Sequence, residues 1–255
     1  MTSVGGRAES FGAAASAYEH FRPGYPPALV DEVLTYAGRR VRTAFEIGAG
    51  TGKATRAFAG RGIAVTASDP DAAMLAALRR QVPEVSATIV APLEDVPLDR
   101  TYDLVFAAAA LHWTRPEGRW DRIAALLHSG GVFASFGGPT ELADAALREA
   151  VRAARAPFLS TDDVPSPDGS PDDDPMQWPG TELLATTSFG DVRRSVLERR
   201  MRMPADDYLG LLSTISAYLV LPPTTRQATF AAIREVLPDE VDVMADVTVH
   251  LARRI

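Results

Sequence analysis

One turn constrains this chain more than any other feature. The apolar run at residues 41–47 feeds straight into Gly48-Ala49-Gly50-Thr51-Gly52, and residues 52–59 then have helical character. A strand that ends in glycines and restarts as a helix is the first βα turn of an open α/β sheet. Glycine lets the backbone reverse tightly there and admits a ligand to van der Waals distance. The pattern alone leaves the ligand open: several kinds of nucleotide-binding domain use such glycines, and a tight turn without a ligand reads the same way.

The residues downstream extend the alternation. Residues 63–68 read as a second strand stopped by Asp69-Pro70, residues 72–80 as an Ala/Leu-rich helix, and residues 85–90 as a third strand. Residues 102–108 and 131–136 read as a fourth and fifth strand, with a helix at 120–127 between them. Strands alternating with helices predict a doubly wound, Rossmann-like, seven-stranded and mostly parallel sheet. Right-handed crossovers then gather the strand C-termini, and the ligand crevice, along one edge.

After residue 138 the pattern changes. Residues 141–155 read as a helix, and residues 160–180 form a stretch rich in proline and aspartate. Such a stretch buries too little apolar surface to order itself cheaply, so it reads as a loop or lid, with Trp178 as its anchor. Residues 192–201 and 243–252 alternate as strands, with helices at 204–221 and 224–236 between them. The expected organisation is a leader plus α/β core at 1–138, a helical and Pro/Asp-rich cap or lid insertion at 139–191, and C-terminal core strands with inserted helices at 192–255.

Composition narrows the function. There is no cysteine, which removes disulfides, thiolate metal sites and a cysteine nucleophile. The histidines His20, His112, His128 and His250 lack metal-ligand spacing, so no metal is expected. A net charge of −7 without a Lys/Arg block argues against nucleic acid. No apolar run has the length to span a bilayer, and the N-terminus does not read as a secretory signal. The expectation is a cytoplasmic protein, monomer or homodimer, with a small-molecule partner.

Two acids specify the turn further. A dinucleotide fingerprint reads G-x-G-x-x-G, whereas this one is G-x-G-x-G with Glu46 ahead of it. A carboxylate beside a pyrophosphate costs energy, but beside the cationic end of a sulfonium nucleoside it stabilises. Asp69 ends the second strand, 17 residues after Gly52. It either accepts hydrogen bonds from ribose hydroxyls or caps the helix that begins near Pro70, with Asp71 as the competing cap.

FEIGAGTGKAT, SDPDAAML, LEDVPLDRTYDLVFAAAALHW and HSGGVFASFGG together resemble the successive motifs of class I S-adenosylmethionine-dependent methyltransferases. With the leader FGAAASAYEHFRPGYP, the chain is similar to their trans-aconitate methyltransferase-like small-molecule group, over about residues 10 to 138. The resemblance implies S-adenosylmethionine as cofactor and S-adenosylhomocysteine as product. It places Glu46, Gly48, Ala49, Gly50, Gly52, Asp69 and Pro70 around that cofactor, and Leu93 and Glu94 beside the adenine. Many relatives carry an aspartate two residues before that glutamate, where this chain has Pro92. Ala107 and Ala108 are expected to line the sulfonium-bearing chain, and Tyr18 and Arg22 to close over the methionine carboxylate. The alternative for Tyr18, Phe21 and Tyr25 is that they dock the leader onto the core.

The expected reaction is methyl transfer to a carboxylate or hydroxyl oxygen of a small molecule. Transfer to nitrogen, carbon or a peptide, and cofactor binding without transfer, are the competing readings. A carboxylate acceptor needs no base at neutral pH, whereas a phenol gains from one. His112, just after the fourth strand, is the candidate catalytic residue, or else a structural histidine beside Trp113. Arg115, Arg119 and Arg155 are candidate holders of an anionic acceptor. Trp113, Trp178, Tyr208 and Tyr218 are candidate walls of an apolar pocket, or ordinary packing.

Overall fold

The computed structural model describes residues 15–161, 166–170 and 174–255. Among the described residues the leader holds two helices, α1 (Ala15–Phe21) and α2 (Pro27–Ala37). The alternating section then runs β1 (Thr43–Ile47), α3 (Lys53–Ala59), β2 (Ala64–Asp69), α4 (Ala72–Gln81), β3 (Ala87–Val90), β4 (Tyr102–Ala108), α5 (Arg119–Ala125) and β5 (Leu127–Gly137). Short 3-10 turns at Leu93–Asp95 and Leu111–Trp113 flank β4. The later elements are β6 (Glu141–Leu142), α6 (Ala145–Arg155), α7 (Gly180–Ala185), β7 (Phe189–Leu197), β8 (Arg200–Pro204), α8 (Ala205–Leu212), α9 (Ser216–Leu219), α10 (Pro223–Val236), β9 (Glu240–Met244) and β10 (Val247–Arg254).

The main sheet has seven strands in the order β3-β2-β1-β4-β5-β10-β7, and β10 alone runs opposite to the other six. The expected doubly wound, mostly parallel sheet is therefore present. Chain order reverses between β1 and β4, which opens the crevice beyond their C-terminal ends. Period-2 alternation divides the strand side chains between two faces. Leu104 and Phe106 pack with Val33 and Phe58 under α2 and α3. Val105 and Ala107 pack with Ile123 and Leu183 under α5 and α7.

The late section departs from the sequence reading. Residues 141–155 are not one helix: β6 precedes α6, and Asp144 ends the strand by capping the helix, accepting from Leu147 N at 2.9 Å. The expected strands at 192–201 and 243–252 each break in the middle. β7 and β10 join the main sheet, whereas β8 and β9 join β6 in a separate three-stranded antiparallel sheet. The two breaks lie side by side, with Ala245 N donating to Arg199 O and Arg199 N donating to Asp246 Oδ1, each at 2.8 Å. Alternation continues through both breaks, so periodicity cannot register the change of sheet. The small sheet and helices α6, α8, α9 and α10 share one apolar core, which includes Val151, Leu211, Ile233 and Val243.

Within the Pro/Asp-rich stretch, Asp168 accepts from Ser170 N at 3.0 Å and Ser166 Oγ at 2.7 Å. Trp178 lies under the Arg119 guanidinium, 5.3 Å from ring centroid to carbon. Trp178 also packs against the core that holds Val105 and Ile123. Among the described residues, no helix is long and apolar enough to cross a membrane.

Candidate functional site

The glycine turn sits at the crevice. Gly48, Gly50 and Gly52 have φ of 64°, 55° and 91°, the left-handed region, and Gly52 leads into α3. Two of these glycines have different neighbours. A Cβ on Gly48 would lie 2.5 Å from Ala110 Cβ, so the turns after β1 and β4 touch there. A Cβ on Gly50 would meet nothing within 4 Å, so this backbone faces open space. Ala49 N, donating to Ser68 O at 2.9 Å, ties the turn to β2.

The two acids converge on this turn. Asp69 Oδ2 accepts from Gly50 N at 2.9 Å, and Oδ1 from Asp71 N at 2.8 Å. Asp71 is the helix cap, accepting from Ala73 N at 2.8 Å, so the competition between these aspartates resolves in its favour. Burial pushes the Asp69 carboxyl upward against those two backbone hydrogen bonds. Glu46 is 1% exposed; its Oε2 accepts from Thr55 Oγ1, while Oε1 has no partner. Burial, with a smaller push from Asp69, raises this carboxyl to about 8, against the Thr55 hydrogen bond. Glu46 is therefore mostly protonated at neutral pH.

The leader closes over the same place. Glu19 Oε2 accepts from Thr51 Oγ1 at 2.7 Å and Oε1 from Arg56 at 2.8 Å, while Lys53 Nζ donates to Glu19 O at 2.6 Å. Burial opposes ionisation of Glu19, but these donors and Lys53 hold its carboxyl below the usual range. Arg22 lies 5.6 Å from the Tyr18 ring centroid and donates to Thr214 Oγ1 at 2.7 Å, joining the leader to the turn after α8. Tyr18, Arg22, Glu46, Gly48, Ala49, Gly50 and Ala108 all line one cleft of about 90 Å³. Burial raises the Tyr18 and Tyr25 hydroxyls well above the usual phenol range.

Three of the charged lining residues escape the sequence reading: Lys53, Arg199 and Asp246. Lys53 is the only lysine in the chain, which was a weak signal. Arg199 and Asp246 left none, because they become neighbours only where the chain crosses between sheets. Arg199 Nη1 also reaches back to Gly24 O at 2.6 Å.

Other expected residues lie elsewhere. The Ala107 side chain packs into the core on the opposite face from Ala108, as strand alternation requires. Leu93 is buried beneath α5, with its carbonyl accepting from Arg122 Nε at 2.9 Å. The Glu94 carboxylate accepts from Arg115 N, and Pro70 follows Asp69 at the crevice edge. His112, with its ring centroid 4.7 Å from that of Trp113, is not among the residues lining the cleft. Burial and then the Arg119 charge lower its imidazole to about 4, so it is neutral at pH 7. Arg119 is ion-paired with Glu182 at 3.1 Å, Arg155 is buried beside Tyr218, and Arg115 is exposed. Tyr208 and Tyr218 belong to the cap core.

This strand-turn-helix geometry has counterparts. Residues 45–135 match the methyltransferase domain family. The match runs from β1 to β5 and leaves the leader and cap outside. An uncharacterized methyltransferase of Mycobacterium tuberculosis is 42% identical over 123 residues, 48% of this chain and 49% of that protein. A Saccharomyces cerevisiae protein named as a probable S-adenosylmethionine-dependent methyltransferase is 33% identical over 124 residues, 46% of this chain and 43% of its own. The chain thus spans about half the length of the curated relatives it matches. A solved structure from Anaeromyxobacter dehalogenans, assigned as a type II methyltransferase, is 27% identical with a TM-score of 0.66, covering 91% of this chain and 98% of that one.

Proposed function

We propose that this protein is an S-adenosylmethionine-dependent methyltransferase acting on a small-molecule oxygen acceptor, with a carboxylate favoured over a hydroxyl. The observation that carries the reading is the buried Glu46 carboxyl, whose Oε1 has no partner, beside a Gly50 backbone that faces open space. An uncompensated polar atom at such depth is costly, and a cationic ligand compensates it. The chemistry of these groups therefore fits the cofactor's cationic end. Glu46 would hold that end, as a carboxylate, when the cofactor is bound. Asp69, already fixed by Gly50 and Asp71, has acceptor capacity left for the ribose hydroxyls. Arg22, stacked on Tyr18, offers a fork to the carboxylate. Leu93 and Glu94 lie outside the lining of this cleft, so no adenine contact is assigned to them.

When bound, S-adenosylmethionine supplies an activated methyl group, so the protein's contribution is positioning and exclusion of water. The acceptor class follows from the lack of a free base among the described residues lining the cleft: Glu46, near 8, is assigned to the cofactor, and Asp246 is held by Arg199 N at 2.8 Å. A base works best with a pKa near the operating pH. His112, near 4, is a weak base outside the lining, and Tyr18 and Tyr25 are too high. A carboxylate acceptor is already ionised and needs none. Arg199, at the cap side of the cleft and without an ion pair among the described residues, replaces Arg115, Arg119 and Arg155 as the proposed holder of that acceptor. His112 then positions the loop after β4 rather than moving a proton.

Methyl-labelled S-adenosylmethionine, offered with panels of carboxylic acids, phenols and amines, tests this reading. Transfer to carboxylates is the expected result. Transfer confined to amines overturns the acceptor assignment, and failure of S-adenosylhomocysteine to bind in calorimetry overturns the whole reading.

A further inference from the structure

At the opposite pole of the sheet, where β1 and β2 begin, lies a second and larger hollow of about 570 Å³. Two loops build it: residues 39–42, between α2 and β1, and residues 61–63, between α3 and β2. Its volume falls in the range of about 300–1,000 Å³ typical of small-ligand pockets. Four arginines line it, Arg39, Arg40, Arg42 and Arg61, on a chain whose net charge is −7.

These cations are only partly compensated. Arg61 pairs with Asp31 at 2.6 Å. Arg39 reaches Asp103 only at 4.0 Å, and that carboxylate already accepts from the main-chain N–H groups of Arg42 and Thr43. The guanidinium groups of Arg40 and Arg42 make no ion pair or hydrogen bond among the described residues. The floor is apolar, with Val41 and Ile63 both buried. Like charges held around one concavity repel each other unless an anion sits among them.

We infer that this hollow is a binding site, separate from the cofactor cleft, for a small amphiphilic anion whose phosphate, sulfonate or carboxylate head meets the arginines while an apolar body covers Val41 and Ile63. A concave site of this size suits a small molecule better than an acidic protein surface.

The test uses the intact chain and anilinonaphthalene sulfonate as the probe, followed by fluorescence at low and physiological salt. The expected result is saturable binding that weakens as salt rises. An Arg40→Gln/Arg42→Gln double variant is expected to bind the probe about tenfold more weakly. Saturating S-adenosylhomocysteine should leave probe binding unchanged, which keeps this inference distinct from the methyltransferase reading. Hydrogen exchange on the unsubstituted chain gives a readout that needs no variant, because the bound probe should protect amides at 39–42 and 61–63. Four results overturn the inference: no saturable binding, equal affinity in the double variant, displacement by S-adenosylhomocysteine, or binding of a polyglutamate peptide in place of the probe.

Discussion

The two sides of the cleft are built in different ways. The side that carries Glu46 and Gly50, with Asp69 bonded behind it to Gly50 N, comes from one stretch of 24 residues, in which β1, a glycine turn, α3 and β2 follow each other directly. The facing side is assembled from Arg22 in the leader, Arg199 between β7 and β8, and Asp246 between β9 and β10. Local chain geometry fixes the first side, so any sequence that forms the turn places its acids. The second side exists only when the leader, the main sheet and the cap dock together, through bonds such as Arg22 to Thr214 and Arg199 to Gly24. A local turn suits a constant ligand, and an assembled wall can change its acceptor without disturbing the turn.

The largest expected effect falls on the local side. Asp69→Ala removes an acceptor proposed to hold the ribose and also frees Gly50 N. Losing charge-assisted bonds of about 1.5–3 kcal/mol corresponds to a fall in S-adenosylhomocysteine affinity of ten- to roughly a hundredfold. Calorimetry measures it, and unchanged affinity would leave Asp69 as a brace of the turn alone. Arg199→Ala comes next and touches the assembled side. It should lower kcat/KM for an anionic acceptor about tenfold while cofactor affinity stays within about twofold. Equal losses in both would mean that the two sides are not separable.

Glu46 sharpens the contrast through pH. Its carboxyl titrates near 8 in the fold and in the ordinary glutamate range when unfolded. Between those values the native chain holds a proton that the unfolded chain has released, so stability falls as pH rises through the window. Glu46→Gln removes that dependence and should raise Tm by about 3 °C at pH near 8, with little change at pH near 4. The same substitution should weaken binding of the cationic cofactor. Thermal melts at both pH values and one titration check both signs.

The same division explains what could be read from residues alone. Strand and helix signals from 42 to 136 were legible because each element carries its own local periodicity, even where its partner is as distant as β10 is from β5, and the spacing from Gly52 to Asp69 encodes one βα crossover. The breaks at Arg199 and Asp246 were illegible because both flanking strands keep the same alternation on passing from one sheet to the other. Ala107 and Ala108 show the limit at single-residue scale. Both end β4, but only the pleat decides that one enters the core and the other the cleft. His112 was a reasonable candidate base by position, and its lowered pKa arises from burial and from Arg119, seven residues further along the chain.

His112 carries the smallest expected effect on turnover and the last test. Its imidazole is held near 4 in the fold, below the ordinary value of 6.5. Between those values the unfolded chain binds a proton that the native chain refuses, so this histidine costs stability as pH falls from 6.5 toward 4. His112→Gln removes that penalty, and its melting temperature should fall less on acidification than that of the unsubstituted chain. His250 keeps part of the acid sensitivity in both proteins, because burial and Arg194 lower its imidazole to about 4 as well. If His112 only positions the loop, His112→Gln should change turnover on a carboxylate less than about threefold at neutral pH. A loss of about a hundredfold or more, with an acidic limb removed from the pH–rate profile, would make it a proton-transfer group and the loop after β4 part of the chemistry.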